Sequence, residues 1–92
     1  MYVKQYDQAI YNYKKALGIR ELLFGDKHIS VGATCNNLGN AYEHKEDVQS
    51  SIEYTRRALV IFEANPASVP QSDVDRVRKS LDRLIKHFVE RQ

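Results

Sequence analysis

The chain repeats itself. Ala16-Leu17-Gly18-Ile19-Arg20-Glu21 recurs 42 residues later as Ala58-Leu59-Val60-Ile61-Phe62-Glu63. At the same offset Ile10 falls on Ile52 and Lys14-Lys15 on Arg56-Arg57, so the likeness runs through a whole amphipathic segment. A period between about 20 and 50 residues marks an array whose units stack on their neighbours, because no unit buries its apolar face alone.

The apolar residues follow a helical period in four stretches. Over residues 6–24 the stripe is Ile10, Tyr13, Ala16-Leu17 and Leu23-Phe24, stopped by Gly25-Asp26. Ser30 is the expected N-cap of a second helix reaching His44, with Val31, Cys35, Leu38 and Tyr42 inward. Lys45-Glu46-Asp47 reads as a turn in which Asp47 caps a third helix running to residue 64, with Ile52, Thr55, Ala58-Leu59 and Phe62 inward. Asn65-Pro66 stops it, since the residue before a proline is pushed out of the α region. After a linker over 66–71, Ser72 is expected to cap a last helix over 72–91, with Asp73 and Asp75 at its positive end. Its stripe is Val74, Val77, Leu81, Leu84-Ile85 and Phe88. The short connections make these helices antiparallel neighbours. The fold class expected is therefore all-α: antiparallel helix-turn-helix repeats, about four helices in one domain spanning residues 1–92.

Leu38-Gly39-Asn40-Ala41-Tyr42 resembles the Leu-Gly-x-x-Tyr core of a tetratricopeptide repeat, and Ala9-x-x-x-Tyr13 followed by Ala16 resembles the second helix of such a repeat. The 42-residue period, with Gly25-Asp26-Lys27-His28 and Asn36-Asn37-Leu38, resembles the kinesin light chain subtype. Departures from that pattern are Ile29 where the subtype has Pro, Cys35 at a bulky aromatic position, and Ser51 and Thr55 in place of the Ala and aromatic signature. The resemblance covers about residues 6–64. It implies a second-type helix over 6–24, a complete repeat over 30–64, and a last helix that either opens a third repeat or caps the stack. Gly39, Ala16 and Ala58 are then small so that neighbouring helices approach closely. Gly32 reads as tolerated in a first turn, and Gly18 has no evident reason.

The faces turned away from the core carry the functional expectation. On the second helix Ala33, Asn36, Asn37, Asn40, Glu43 and His44 lie opposite Leu38 at about 100° per residue. Asparagine is a mediocre helix former whose amide both donates and accepts. Such a face is either a solvated surface, with amides bonding within the helix, or a peptide-binding strip. The resemblance implies the latter: Asn36, Asn37, Asn40 and His44 would line a concave groove and hold peptide main chain. On the last helix Arg76, Lys79, Arg83 and Lys86 fall between about 140° and 220° from Leu81. They line the same groove beside the Asn face and attract an acidic ligand, or they only solubilise a capping helix.

Other chemistry is weakly signalled. Cys35 sits in an apolar stripe, no His lies at ligand spacing from it, and no phosphate loop or paired-carboxylate motif is present, so no enzyme, metal site or cofactor is expected. His28 is expected to cap an interhelical loop. A net charge of +2 disfavours nucleic acid as the partner. No stretch is apolar enough to span a membrane, and the single Cys, unable to form an internal disulfide, suggests a reducing cytoplasmic setting. The chain opens on a helix whose first-type partner is missing. It is therefore expected to be a piece of a longer array or to associate, as a homo-oligomer, through uncovered faces that include Tyr2, Val3 and Tyr6. The function expected is a protein-interaction module for a short acidic peptide; the alternative is a structural segment of a repeat scaffold with no ligand of its own.

Overall fold

The computed structural model describes the backbone of residues 3–92 and the side chains from Gln5 onward. Tyr2 and the Val3 side chain, expected on an uncovered surface, lie outside the described residues. Four helices follow one another: α1 Val3–Phe24, α2 Ile29–His44, α3 Val48–Glu63 and α4 Gln71–Glu90. Each packs chiefly on its neighbour in sequence, α1 on α2, α2 on α3 and α3 on α4. The fold is an all-α repeat stack.

Helix ends follow from local chemistry. Gly25 takes φ 86° after α1, and its N–H returns to the Glu21 carbonyl at 2.9 Å, a left-handed termination suited to a residue with no Cβ. Glu46 takes the same left-handed turn after α2 with φ 67°. There the Asp47 N–H bonds the Tyr42 carbonyl and the Glu46 N–H bonds the Glu43 carbonyl, both at 2.9 Å, closing a Schellman motif. Asp47 then caps α3, accepting from the Ser50 N–H at 3.1 Å. Two expected caps fall elsewhere. α2 begins at Ile29, and its cap is His28, whose Nδ1 accepts from the Ser30 N–H at 3.1 Å. α4 begins at Gln71 behind Pro70, which places Ser72 inside the first turn with Asp73. The proline's own backbone geometry starts that helix, with no side-chain cap.

The core runs along the stack as one cluster. It takes in Ile10 and Leu17 of α1, Val31, Leu38 and Ala41 of α2, Ile52, Leu59 and Phe62 of α3, and Val74, Val77, Leu81 and Leu84 of α4. Val69 of the linker is buried with them. Gly39 lets α2 and α3 close: a Cβ there would collide with Thr55 Oγ1 and sit 3.3 Å from the Ser51 carbonyl oxygen. Ser51 and Thr55 thus fit the small site, and the Ser51 hydroxyl donates to the Gly39 carbonyl at 2.7 Å. Gly32 is also a packing glycine rather than a first-turn tolerance, since its Cβ would lie 2.8 Å from Phe62 and 2.9 Å from Ile61. Gly18 faces open space.

Three expected core positions are exposed. Ile85 is 36% exposed because Leu84, the residue before it, is the one turned into the core. Leu23 lies on the flank of α1 that no helix covers. Phe24 is half exposed, with the His28 ring stacked on it, ring centroids 4.6 Å apart.

Candidate functional site

The polar strip of α2 emerges because every other side of that helix is occupied. Val31, Thr34, Leu38 and Ala41 are buried, as are Gly32, Cys35, Gly39 and Tyr42. Thr34 shows how tightly the α1 side closes: its hydroxyl donates to the Ser30 carbonyl at 2.9 Å and accepts from the Arg20 guanidinium of α1. On the α3 side Tyr42 stacks on Tyr54 with ring centroids 5.6 Å apart. Ala33, Asn37, Asn40 and His44 are left exposed, with Asn36 and Glu43 half-buried.

Two hollows flank this strip. One, of about 350 Å³, lies between α2 and α4; Ile29, Phe62, Val69 and Val77 give it apolar walls, and Asn36, Asn37, Asp73 and Arg76 supply its polar groups. The other, of about 220 Å³, lies between α1 and α2 and is lined by Tyr6, Ala9, Tyr13, Asn37, Asn40 and His44. Asn37 belongs to both. His44 is held in the second by its stack on Tyr6, with centroids 5.1 Å apart and planes within 5°. Beside it Lys45 reaches Asp7 at 2.5 Å, tying the end of α2 to the start of α1.

The basic strip of α4 is exposed but only partly uncommitted. Arg76 pairs with Asp73 at 3.2 Å and Lys86 lies 4.0 Å from Glu90, both within α4. Arg83 crosses to α2 and takes the Glu43 carboxylate with both guanidinium nitrogens, the longer bond being 3.2 Å. Those bonds hold the Glu43 carboxyl below the ordinary carboxylate range. Among the described residues Lys79 makes no ion pair. Glu43 is the participant that the sequence does not announce as a partner; it lies on the polar face, but nothing in the order of residues connects it with Arg83 forty positions on. The apolar walls were equally hidden, since Val69 stands in a linker between two prolines.

Cys35 is fully buried and burial pushes its thiol pKa up, away from the reactive thiolate. Among the described residues no three His, Cys, Asp or Glu side chains converge as a metal site would require, and no described helix is long and apolar enough to cross a membrane.

The geometry above has a family counterpart. The profile of the tetratricopeptide repeat family matches residues 1–64, which take in α1, α2 and α3. The chain belongs to the tetratricopeptide repeat family. Such repeats are non-enzymatic modules that mediate protein–protein interaction. The chain is also similar to RxLR effector protein SFI4 of Phytophthora infestans (strain T30-4), at 36% identity over 50 residues that make up 54% of the chain and 15% of the relative. Secreted RxLR effector protein RXLR-C07 of Plasmopara halstedii matches to the same extent, 36% over 50 residues. The chain spans about 15% of the length of these curated relatives. No solved structure matches it.

Proposed function

We propose that this tetratricopeptide module binds a short acidic peptide along the α2–α4 face. In this reading Asn36, Asn37, Asn40 and His44 hydrogen-bond the peptide main chain, while Arg76, Lys79, Arg83 and Lys86 draw its carboxylates. The observation that carries it is the hollow between α2 and α4, with asparagine amides on one bank and Arg76 on the other. Asparagine suits the first role because one amide can both donate to a peptide carbonyl and accept from a peptide N–H. The second role falls first to Lys79, which is uncommitted. Arg83 joins only if the ligand displaces Glu43, so the ligand's carboxylate competes with one the protein supplies. The 42-residue period supports assigning the module to the kinesin light chain-like subtype.

A titration of a short Asp/Glu-rich peptide against the parent, Asn37→Ala and Lys79→Glu at two salt concentrations tests this reading. A lost hydrogen bond to a charged group is worth about 1.5–3 kcal/mol, so a direct Lys79 contact should weaken binding about tenfold or more. That loss should shrink as salt rises, whereas the Asn37 effect should not. Equal affinities for all three proteins, with unchanged helicity, would reject the groove.

A second reading, a scaffold segment without a ligand of its own, is favoured by the exposed apolar flank of α1, where Leu22 is 89% exposed. The two differ in that only the first responds to Asn37→Ala. A cytoplasmic setting belongs to the first proposal and rests on the single buried thiol. One relative's name, a secreted effector, points instead to export. Fractionation of the tagged full-length protein separates these placements.

A further inference from the structure

Two successive helix starts are capped by different chemistry. Asp47 caps α3 with a carboxylate that accepts the Ser50 N–H at 3.1 Å, whereas α2 is capped by the His28 ring, whose Nδ1 accepts the Ser30 N–H at 3.1 Å. An imidazole accepts at Nδ1 only while that nitrogen is unprotonated, and histidine is the side chain whose charge changes between about pH 5 and 8. Carboxylates ordinarily titrate below that window. We propose that His28 is a pH-sensitive cap: neutral, it holds the first turn of α2; protonated, it releases that turn, which supplies Ile29 to the hollow between α2 and α4.

Protonation acts on this cap in two ways. The imidazolium carries an N–H at Nδ1, so the Ser30 N–H faces a donor where it had an acceptor. The Ser30 hydroxyl, 2.8 Å from the same nitrogen, can meet either form of the ring, because a hydroxyl both donates and accepts. It does not replace the bond that the backbone loses. The new positive charge also stands at the positive end of the α2 dipole. The stack on Phe24, with ring centroids 4.6 Å apart, requires neither protonation state and keeps the ring at the helix end through the change. His28 is exposed, so the proton comes directly from solvent.

The charged groups around the cap are committed elsewhere or lie in the loop before it. Arg20 of α1 donates to Thr34, one turn into α2. Glu21 of α1 pairs with Arg57 of α3 at 2.5 Å, and across the hollow Asp73 pairs with Arg76 of α4 at 3.2 Å. Asp26 and Lys27 precede His28 in the loop, and among the described residues the side chain that accepts the Ser30 N–H is His28. The first turn is also a packing turn. Gly32 lies against Phe62 and Ile61 of α3, so releasing it loosens the wall of the hollow and the α2–α3 contact together. Control of ligand affinity by this cap rests on the α2–α4 groove reading; the uncapping itself does not.

The test is an NMR and hydrogen-exchange series from about pH 8 to about pH 5 on the whole isotope-labelled chain, as parent and as His28→Asn, since asparagine is a strong N-cap that does not titrate. Circular dichroism verifies that the variant keeps its helicity. In the parent the Ser30 amide resonance should move with the same midpoint as the His28 ring. The Val31 and Gly32 amides, corrected for intrinsic exchange, should lose about fivefold in protection, the equivalent of about 1 kcal/mol for a lost cap. The Ser50 and Ser51 amides behind the Asp47 cap should hold, and both helix starts should hold in His28→Asn. Constant protection of Val31 and Gly32 through the His28 titration, or an equal loss in His28→Asn, overturns the proposal. An Asp/Glu-rich peptide should bind the parent about twofold more weakly than His28→Asn at the acid end of the series and equally at the alkaline end. Loss of protection without that difference in affinity supports the pH-sensitive cap and rejects the groove reading.

Discussion

Gly18 and Gly39 each lie inside a continuous helix, and alanine at the two sites should act in opposite directions. A glycine within a helix costs about 1 kcal/mol relative to alanine, so Gly18→Ala, with no atom near its new Cβ, should raise stability by about 0.5–1 kcal/mol. Gly39→Ala gains the same backbone term but must displace Thr55 and approach the Ser51 carbonyl, overpacking that costs about 1–3 kcal/mol. Urea midpoints of the two variants should move apart from the parent in opposite senses; a shared direction would contradict the packing described. Leu38→Ala, at a fully buried site, should cost about 2–5 kcal/mol in the same assay. The core residues of α2 were legible in the sequence because helical periodicity alone selects Val31, Cys35, Leu38 and Tyr42. Gly32 was not, since a glycine near a helix start looks tolerated until the neighbouring helix is seen to bring Phe62 and Ile61 against it.

At the scale of the helix, periodicity located the four elements and end chemistry was only partly readable. Asp47 was recognisable as a cap because Asp at that place has a single reasonable role, whereas at the start of α2 the cap is the His28 ring, which accepts the N–H of Ser30, the residue expected to be the cap. The outer residues of α1 and α4 were misread for a related reason: a helical wheel says which way Leu23 and Ile85 point but not whether a neighbour is there. The pairing of α2 with α4 through Glu43 and Arg83 was beyond the sequence, and it has a pH signature. The Glu43 carboxyl titrates lower folded than unfolded, an unfolded glutamate titrating at about 4.3. Its stabilising contribution is therefore present above about pH 4.3 and disappears as pH falls through the lowered folded value. The difference in thermal midpoint between the parent and Glu43→Gln should be constant at neutral pH and shrink toward zero in acid. A difference that grows in acid would contradict the assigned ion pair. If the acidic-peptide reading holds, the same variant frees Arg83 and should tighten peptide binding at neutral pH.

Across the whole molecule, α2 and α3 have neighbours on both sides while α1 and α4 are end elements, so stability is expected to vary along the stack. Hydrogen exchange should find the slowest amides in the α2–α3 pair and faster exchange in the outer turns of α1 and α4; uniform protection would mean that the four helices unfold as one unit. The exposed strip runs across the middle of this gradient, so a ligand on it would touch the best-ordered backbone in the chain. The central claim is that partner binding uses that strip, and a heteronuclear NMR titration of the isotope-labelled chain with a short Asp/Glu-rich peptide tests it most directly. The account predicts saturable shifts of the side-chain amides of Asn36, Asn37 and Asn40 and of backbone amides around Arg76 and Lys79, with the outer flank of α1 unmoved. Saturable shifts confined to Tyr11, Ile19 and Leu22, or no saturable shift at any residue, would contradict it.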